Sequence, residues 1–117
     1  MLKVINLFAG PGAGKSTTAA GLFHKMKLAG YKVELATEFA KELVWDDSLS
    51  VLNDQLYLVA EQHKRINRLK NHEIDYVVTD SPILMNLAYC PDAYFKNFKP
   101  LVQEIYFCLI MVVSLIC

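Results

Sequence analysis

Ala9-Gly10-Pro11-Gly12-Ala13-Gly14-Lys15-Ser16-Thr17 sits between an apolar run, Val4-Ile5-Asn6-Leu7-Phe8, and a segment of helical pattern that opens at Lys15. This is the strand–loop–helix setting of a phosphate-binding loop. Glycines let several backbone N–H groups turn inward on one anion. The first helical turn adds unpaired N–H groups and the positive end of its dipole. Gly10, Pro11, Gly12, Ala13, Gly14, Lys15, Ser16 and Thr17 are therefore the expected contacts for a nucleoside triphosphate. Lys15 is spaced to reach the β- and γ-phosphates, and the Ser16 hydroxyl to hold Mg²⁺. Ala9 stands where the motif usually begins with glycine. A dinucleotide loop fits less well, because its third glycine would fall on Lys15.

The rest of the chain alternates element types. Lys3 to Phe8 reads as a buried parallel strand, Lys15 to Ala29 as a helix closed by Gly30, and Lys32 to Ala36 as a second strand. Glu38 to Trp45 reads as a short helix. A long helix follows from about Val51 to Lys70, with Leu52, Leu56, Val59, His63 and Ile66 as its buried stripe. Ile74 to Thr79 forms a third strand that ends at Asp80, Ser81-Pro82 starts another helical piece, and Glu104 to Leu109 is assigned to a fourth strand. Such alternation implies an α/β fold with a parallel sheet covered on both faces. Right-handed crossovers and the phosphate-binding loop give the spatial strand order 2-3-1-4.

The 117 residues suit one domain, and 54 % hydrophobic with 21 % charged residues excludes a disordered chain. Formal net charge is zero and the lysines and arginines are scattered, so no nucleic-acid partner is expected. Cys90, Cys108 and Cys117 lack metal-ligand spacing and read as reduced thiols of a cytoplasmic protein. Met1-Leu2-Lys3 enters a strand directly, which argues against a signal peptide. The stretch from Ile105 to Cys117 is apolar except for Ser114. As a helix it would span about 20 Å against a bilayer core of roughly 30 Å, so no membrane partner is expected. Residues 1–109 are thus read as the nucleotide-binding domain and 110–117 as an altered or truncated hydrophobic tail.

Two further pieces carry candidate chemistry. Tyr76-Val77-Val78-Thr79-Asp80 puts a carboxylate at the carboxyl edge of the sheet, where open α/β folds bind ligands. Asp80 is the expected partner of Mg²⁺ together with Ser16, or a base for a bound hydroxyl acceptor. Ser81 follows it instead of Glu, so the acidic pair with which many ATPases activate water is absent. Thr37-Glu38-Phe39-Ala40-Lys41-Glu42 lies past the second strand. Glu38 there either accepts hydrogen bonds from a small substrate or simply favours a helix N-terminus. His63 is expected to be packed, and His24 and His72 solvated. Lys64, Arg65, Arg68 and Lys70 read as a solvated helical face. Trp45, Tyr89 and Tyr94 suit either ring stacking or packing.

These residues resemble the P-loop small-molecule kinases. The loop from Ala9 to Thr17, Glu38-Phe39-Ala40-Lys41-Glu42, the long Gln- and Glu-bearing helix and Val77-Val78-Thr79-Asp80-Ser81-Pro82 look like nicotinamide-riboside-kinase-like ATPase domains and related phage ATP-binding proteins. The resemblance covers most of residues 1–109. It implies a P-loop NTPase three-layer sandwich, ATP and Mg²⁺ as cofactors, and Lys15, Asp80 and Glu38 as catalytic residues, with Glu38 and Asp80 facing a phosphoryl acceptor. Lys41 stands where that family has Arg, and Ser81 where many nucleoside kinases have Arg. The family's fifth strand and Arg-bearing lid are expected to be lacking. A nucleotide-binding module without chemistry of its own, or a simple NTPase, stays open beside the kinase reading.

Overall fold

A computed structural model describes residues 2–8, 14–36, 54–90, 93–108 and 112–116. In chain order these form β1 (Lys3–Phe8), α1 (Lys15–Leu28), β2 (Val33–Ala36), α2 (Gln55–Asn67), β3 (Tyr76–Thr79), α3 (Phe98–Cys108) and β4 (Val112–Ile116). Short 3-10 segments occupy Arg68–Asn71 and Ile83–Tyr89. The expected short helix at 38–45 lies outside the described residues.

All the strand pairs are parallel, in the order β2-β3-β1-β4. Val4, Ile5, Asn6 and Leu7 are all buried because β1 is an inner strand with both faces covered. Side-chain alternation divides its residues between two cores. Ile5 and Leu7 join Val33, Val78 and Ala19 of α1 on one face. Val4 joins Val77, Val59 and Ile66 of α2, and Phe98 and Val102 of α3 on the other. The register sets Asn6 opposite Thr79 and Thr79 opposite Ala36, so three strands reach the same level at their carboxyl ends.

Local signals explain where α1 starts and stops. Gly14 precedes it at φ 80°, in the left-handed region that glycine enters without a Cβ penalty. Gly30 has φ 89°; its N–H donates to the Lys27 carbonyl and the Tyr31 N–H to that of Met26, both at 3.0 Å. This is a Schellman closure, with Gly30 at the helix end where the sequence placed it.

Three expectations need correction. The Glu104–Leu109 segment does not form the fourth strand: Phe98–Cys108 is helical, with Phe98, Val102 and Tyr106 buried at every fourth position. Its density of apolar residues hid that period, and Pro100 is tolerated because it lies in the first turn. The fourth place in the strand order therefore belongs to Val112–Ile116, which pairs from Val4↔Val112 to Phe8↔Ile116. Residues 112–116 are thus part of the sheet, not a tail outside a domain closed at 109. Finally, α2 buries Gln55, Leu58, Val59 and Ile66, while Leu56 is 45 % exposed and His63 half-buried. The helix turns a partly polar side inward, toward the polar edge of β3.

A chain lacking residues 110–117 would leave β1 with one open ladder. We expect it to lose cooperative thermal unfolding, or to melt well below the full chain, when followed by circular dichroism. An unchanged melting temperature would show that β4 is dispensable.

Candidate functional site

The carboxyl edge of β1 and β3 meets the start of α1. Ser16, in the first turn of α1, donates from Oγ to Asp80 Oδ2 at 2.7 Å. Asp80 follows β3 directly and is only 3 % exposed. Parallel pairing of β1 with β3 is what brings these sequence-distant residues together. Lys15 and Ser16 are half-buried and Thr17 is exposed on the same turn. Gly14 is exposed at the helix start. Gly10, Pro11, Gly12 and Ala13 lie outside the described residues, and so do Glu38, Lys41 and Trp45.

Asp80 Oδ1 is buried without a hydrogen-bond partner among the described residues. Asn6, 1 % exposed and one level inside the same edge, has an unpartnered Nδ2. An unsatisfied buried polar atom costs about 1–3 kcal/mol, more when charged. Folding retains such a cost most readily where a ligand later offsets it. The donor set suits a small hard cation: one carboxylate and one hydroxyl, both oxygen ligands. Among the described residues no three His, Cys, Asp or Glu side chains form a metal cluster. Mg²⁺ needs no such cage, since it keeps waters and substrate phosphates as ligands.

Beside this pair lies a polar network that spans three elements. Gln62 of α2 donates from Nε2 to Ser81 Oγ at 2.6 Å. Asn86, in the 3-10 segment after β3, donates from Nδ2 to Gln62 Oε1 at 2.6 Å and to the Ile83 carbonyl at 2.8 Å. The Ser81 N–H donates to Thr79 Oγ1 at 3.1 Å. Motif reading gave Asn86 no role and left Gln62 unassigned. The available signal was helical spacing, because Gln55, Val59, Gln62 and Ile66 recur along one side of α2.

Arg65 departs from the solvated face expected of it. Its side chain is 18 % exposed, and Nε lies 3.7 Å from Glu61 Oε1 one turn earlier. With Ala36, Glu61 and Arg68 it lines a groove of about 290 Å³ between β2 and α2. Lys64, Arg68 and Lys70 are exposed, as are His24 and His72. Tyr94 packs edge-on against Phe98 at 4.8 Å, and its hydroxyl accepts from the Leu56 N–H at 2.9 Å, so it serves packing. Cys90 and Cys108 are free thiols. Among the described residues, no helix is long and apolar enough to cross a membrane.

Compared with known proteins, the chain matches no protein-family model and no curated protein.

The network makes a stability prediction. Asn86→Ala strips the donor from both Gln62 Oε1 and the Ile83 carbonyl. We expect a loss of about 1–3 kcal/mol in urea unfolding. A change within about 0.5 kcal/mol, the usual range for surface substitutions, would show that the network contributes no stability.

Proposed function

We propose that the chain binds ATP through a P-loop and transfers its γ-phosphoryl group to a nucleoside-like small molecule. The observation that carries this reading is the 2.7 Å bond between Ser16 and Asp80. A hydroxyl two residues past the last loop glycine and an acid at the end of the neighbouring parallel strand are the pair that holds Mg²⁺ in P-loop proteins. The finer fold reading, a P-loop NTPase sandwich, goes with it and is supported by the left-handed Gly14 ahead of α1.

In this proposal Lys15 meets the β- and γ-phosphates, and Ser16 and Asp80 hold Mg²⁺, which when bound offsets phosphate charge. Where Asp80 serves as the base instead of a metal partner, the acceptor hydroxyl loses its proton to that carboxylate as the acceptor oxygen bonds the γ-phosphorus. The bond from that phosphorus to the bridging oxygen breaks, and ADP leaves. Glu38 is assigned to the acceptor. The free thiols of Cys90 and Cys108 support a cytoplasmic setting.

A second reading, nucleotide binding or hydrolysis without an acceptor, is favoured by where the cations lie. Arg65 and Arg68, the only arginines in the sequence, line the groove beside β2 and α2. An arginine placed on the γ-phosphoryl is worth roughly 10³–10⁵ in rate.

Incubation with Mg-ATP and a nucleoside panel that includes nicotinamide riboside separates the readings. Acceptor-dependent ADP formation is the expected result. Phosphate release without an acceptor would mark an NTPase, and tight ATP binding with neither product a binding module. Lys15→Ala is expected to remove most ATP affinity, and unchanged binding would overturn the P-loop assignment.

Asp80→Asn provides an independent check. It relieves a buried, half-satisfied carboxylate, so the metal-free protein should be no less stable in urea. The Mg²⁺ dependence of nucleotide binding should disappear. Retained Mg²⁺ dependence would remove Asp80 from the metal site.

A further inference from the structure

The polar network beside Asp80 has a fixed direction, and that direction assigns a hydrogen. The Ile83 carbonyl can only accept, so the Asn86 atom 2.8 Å from it is the amide nitrogen. That nitrogen also lies 2.6 Å from Gln62, which must present its carbonyl oxygen there. The other end of the Gln62 amide is then Nε2, which donates to Ser81 Oγ. Ser81 Oγ is an acceptor in this chain, and its own hydrogen has no acceptor among the described residues. Both amide orientations follow from a backbone carbonyl, not from a free choice of rotamer.

Ser81 lines a recess of about 10 Å³ together with Ala36, Gln62, Arg65, Ile66 and Thr79. That volume holds about one water-sized atom. Ala36 and Arg65 also line the groove of about 290 Å³, so the two spaces share a wall. A guanidinium is a donor only, and the Ser81 hydrogen is left to donate. Each acid of the groove lies near a cation: Glu61 Oε1 is 3.7 Å from Arg65 Nε, and Glu34 Oε1 is 3.9 Å from Lys27 Nζ. Arg68 has no ion-pair partner among the described residues.

We propose that the groove between β2 and α2 takes an oxyanion, a carboxylate or phosphate carried by the phosphoryl acceptor, with one oxygen in the recess between Ser81 and Arg65. Ser81 and Arg65 donate to that group. Gln62 is a positioning residue that turns the Ser81 hydrogen toward it. The proposal deepens the phosphoryl-transfer reading and rests on it only in calling the ligand an acceptor.

Calorimetric titration of the full chain tests this without turnover, in the presence of Mg²⁺ and a non-hydrolysable ATP analogue. Two matched pairs separate the sources of the oxyanion: nicotinic acid riboside against nicotinamide riboside, and a nucleoside 5′-monophosphate against its nucleoside. The oxyanion member of at least one pair should bind about tenfold tighter or better, and which pair responds names the source. Ser81→Ala should reduce that affinity about tenfold, as loss of a charge-assisted hydrogen bond does. Gln62→Glu offers only acceptor oxygens and draws the Ser81 hydrogen to itself. Its loss should be clearly smaller in a Ser81→Ala background, the sign of coupling between the two.

Equal binding within both pairs by the unaltered protein would overturn the proposal and leave a recess that holds only water. An equal Gln62→Glu loss in both backgrounds would overturn the positioning role. ATP binding and circular dichroism of each variant check its fold. Lys15→Ala in the same series reports on the triphosphate reading separately. Should it bind ATP as the unaltered protein does, that reading fails, while the matched pairs titrated without the analogue still decide the oxyanion site.

Discussion

Burial of β1 on both faces is the constraint from which the remaining architecture follows. A parallel strand of this kind has two apolar sides to cover and two ladders to pair. Ile5 and Leu7 need α1, Val4 needs α2 and α3, and the two ladders need β3 and β4. The candidate site is a by-product of the same pairing. Setting Asn6 opposite Thr79 carries Asp80 to the level where the chain leaves β1 and enters α1. There it meets Ser16 at 2.7 Å, with the two side chains already side by side.

The edge of the sheet holds two kinds of polar group with opposite consequences. The Asn86–Gln62–Ser81 network runs in one direction from a backbone carbonyl, so it rigidifies the join between α2 and β3. Among the described residues, Asp80 Oδ1 and Asn6 Nδ2 have no partner and carry a desolvation cost. Satisfied groups next to unsatisfied ones suggest a division of labour. The former fix geometry, and the latter hold free energy that a ligand can release.

Much of this was legible from residues 1–36 and 74–80, because their signals are local. An apolar run, a Gly-Lys-Ser start, a closing glycine and a strand ending in Asp each specify their own structure. The failures had physical causes too. From Ile105 onward nearly every residue is apolar, so helix and strand periods could not be told apart by hydropathy. Only the buried Phe98, Val102 and Tyr106 reveal the helical spacing of α3. On α2, hydropathy set Leu56 inward and gave the glutamines no side. The helix is in fact oriented by a hydrogen-bonded edge that no local pattern encodes. Arg65 was misplaced for the same reason, since its depth comes from α2 docking beside β2.

The register of the sheet also governs how it can be assembled during synthesis. Val4 is matched with Val77 and with Val112, so β1 is completed by strands translated much later. Long-range parallel pairing of this kind folds slowly, because loop closure precedes the contacts that reward it. At about 5–20 residues per second on the ribosome, seconds pass between the making of β1 and that of either neighbouring strand. Over that interval both ladders of β1 wait for partners, while α1, made directly after it, can already cover the Ile5 and Leu7 face.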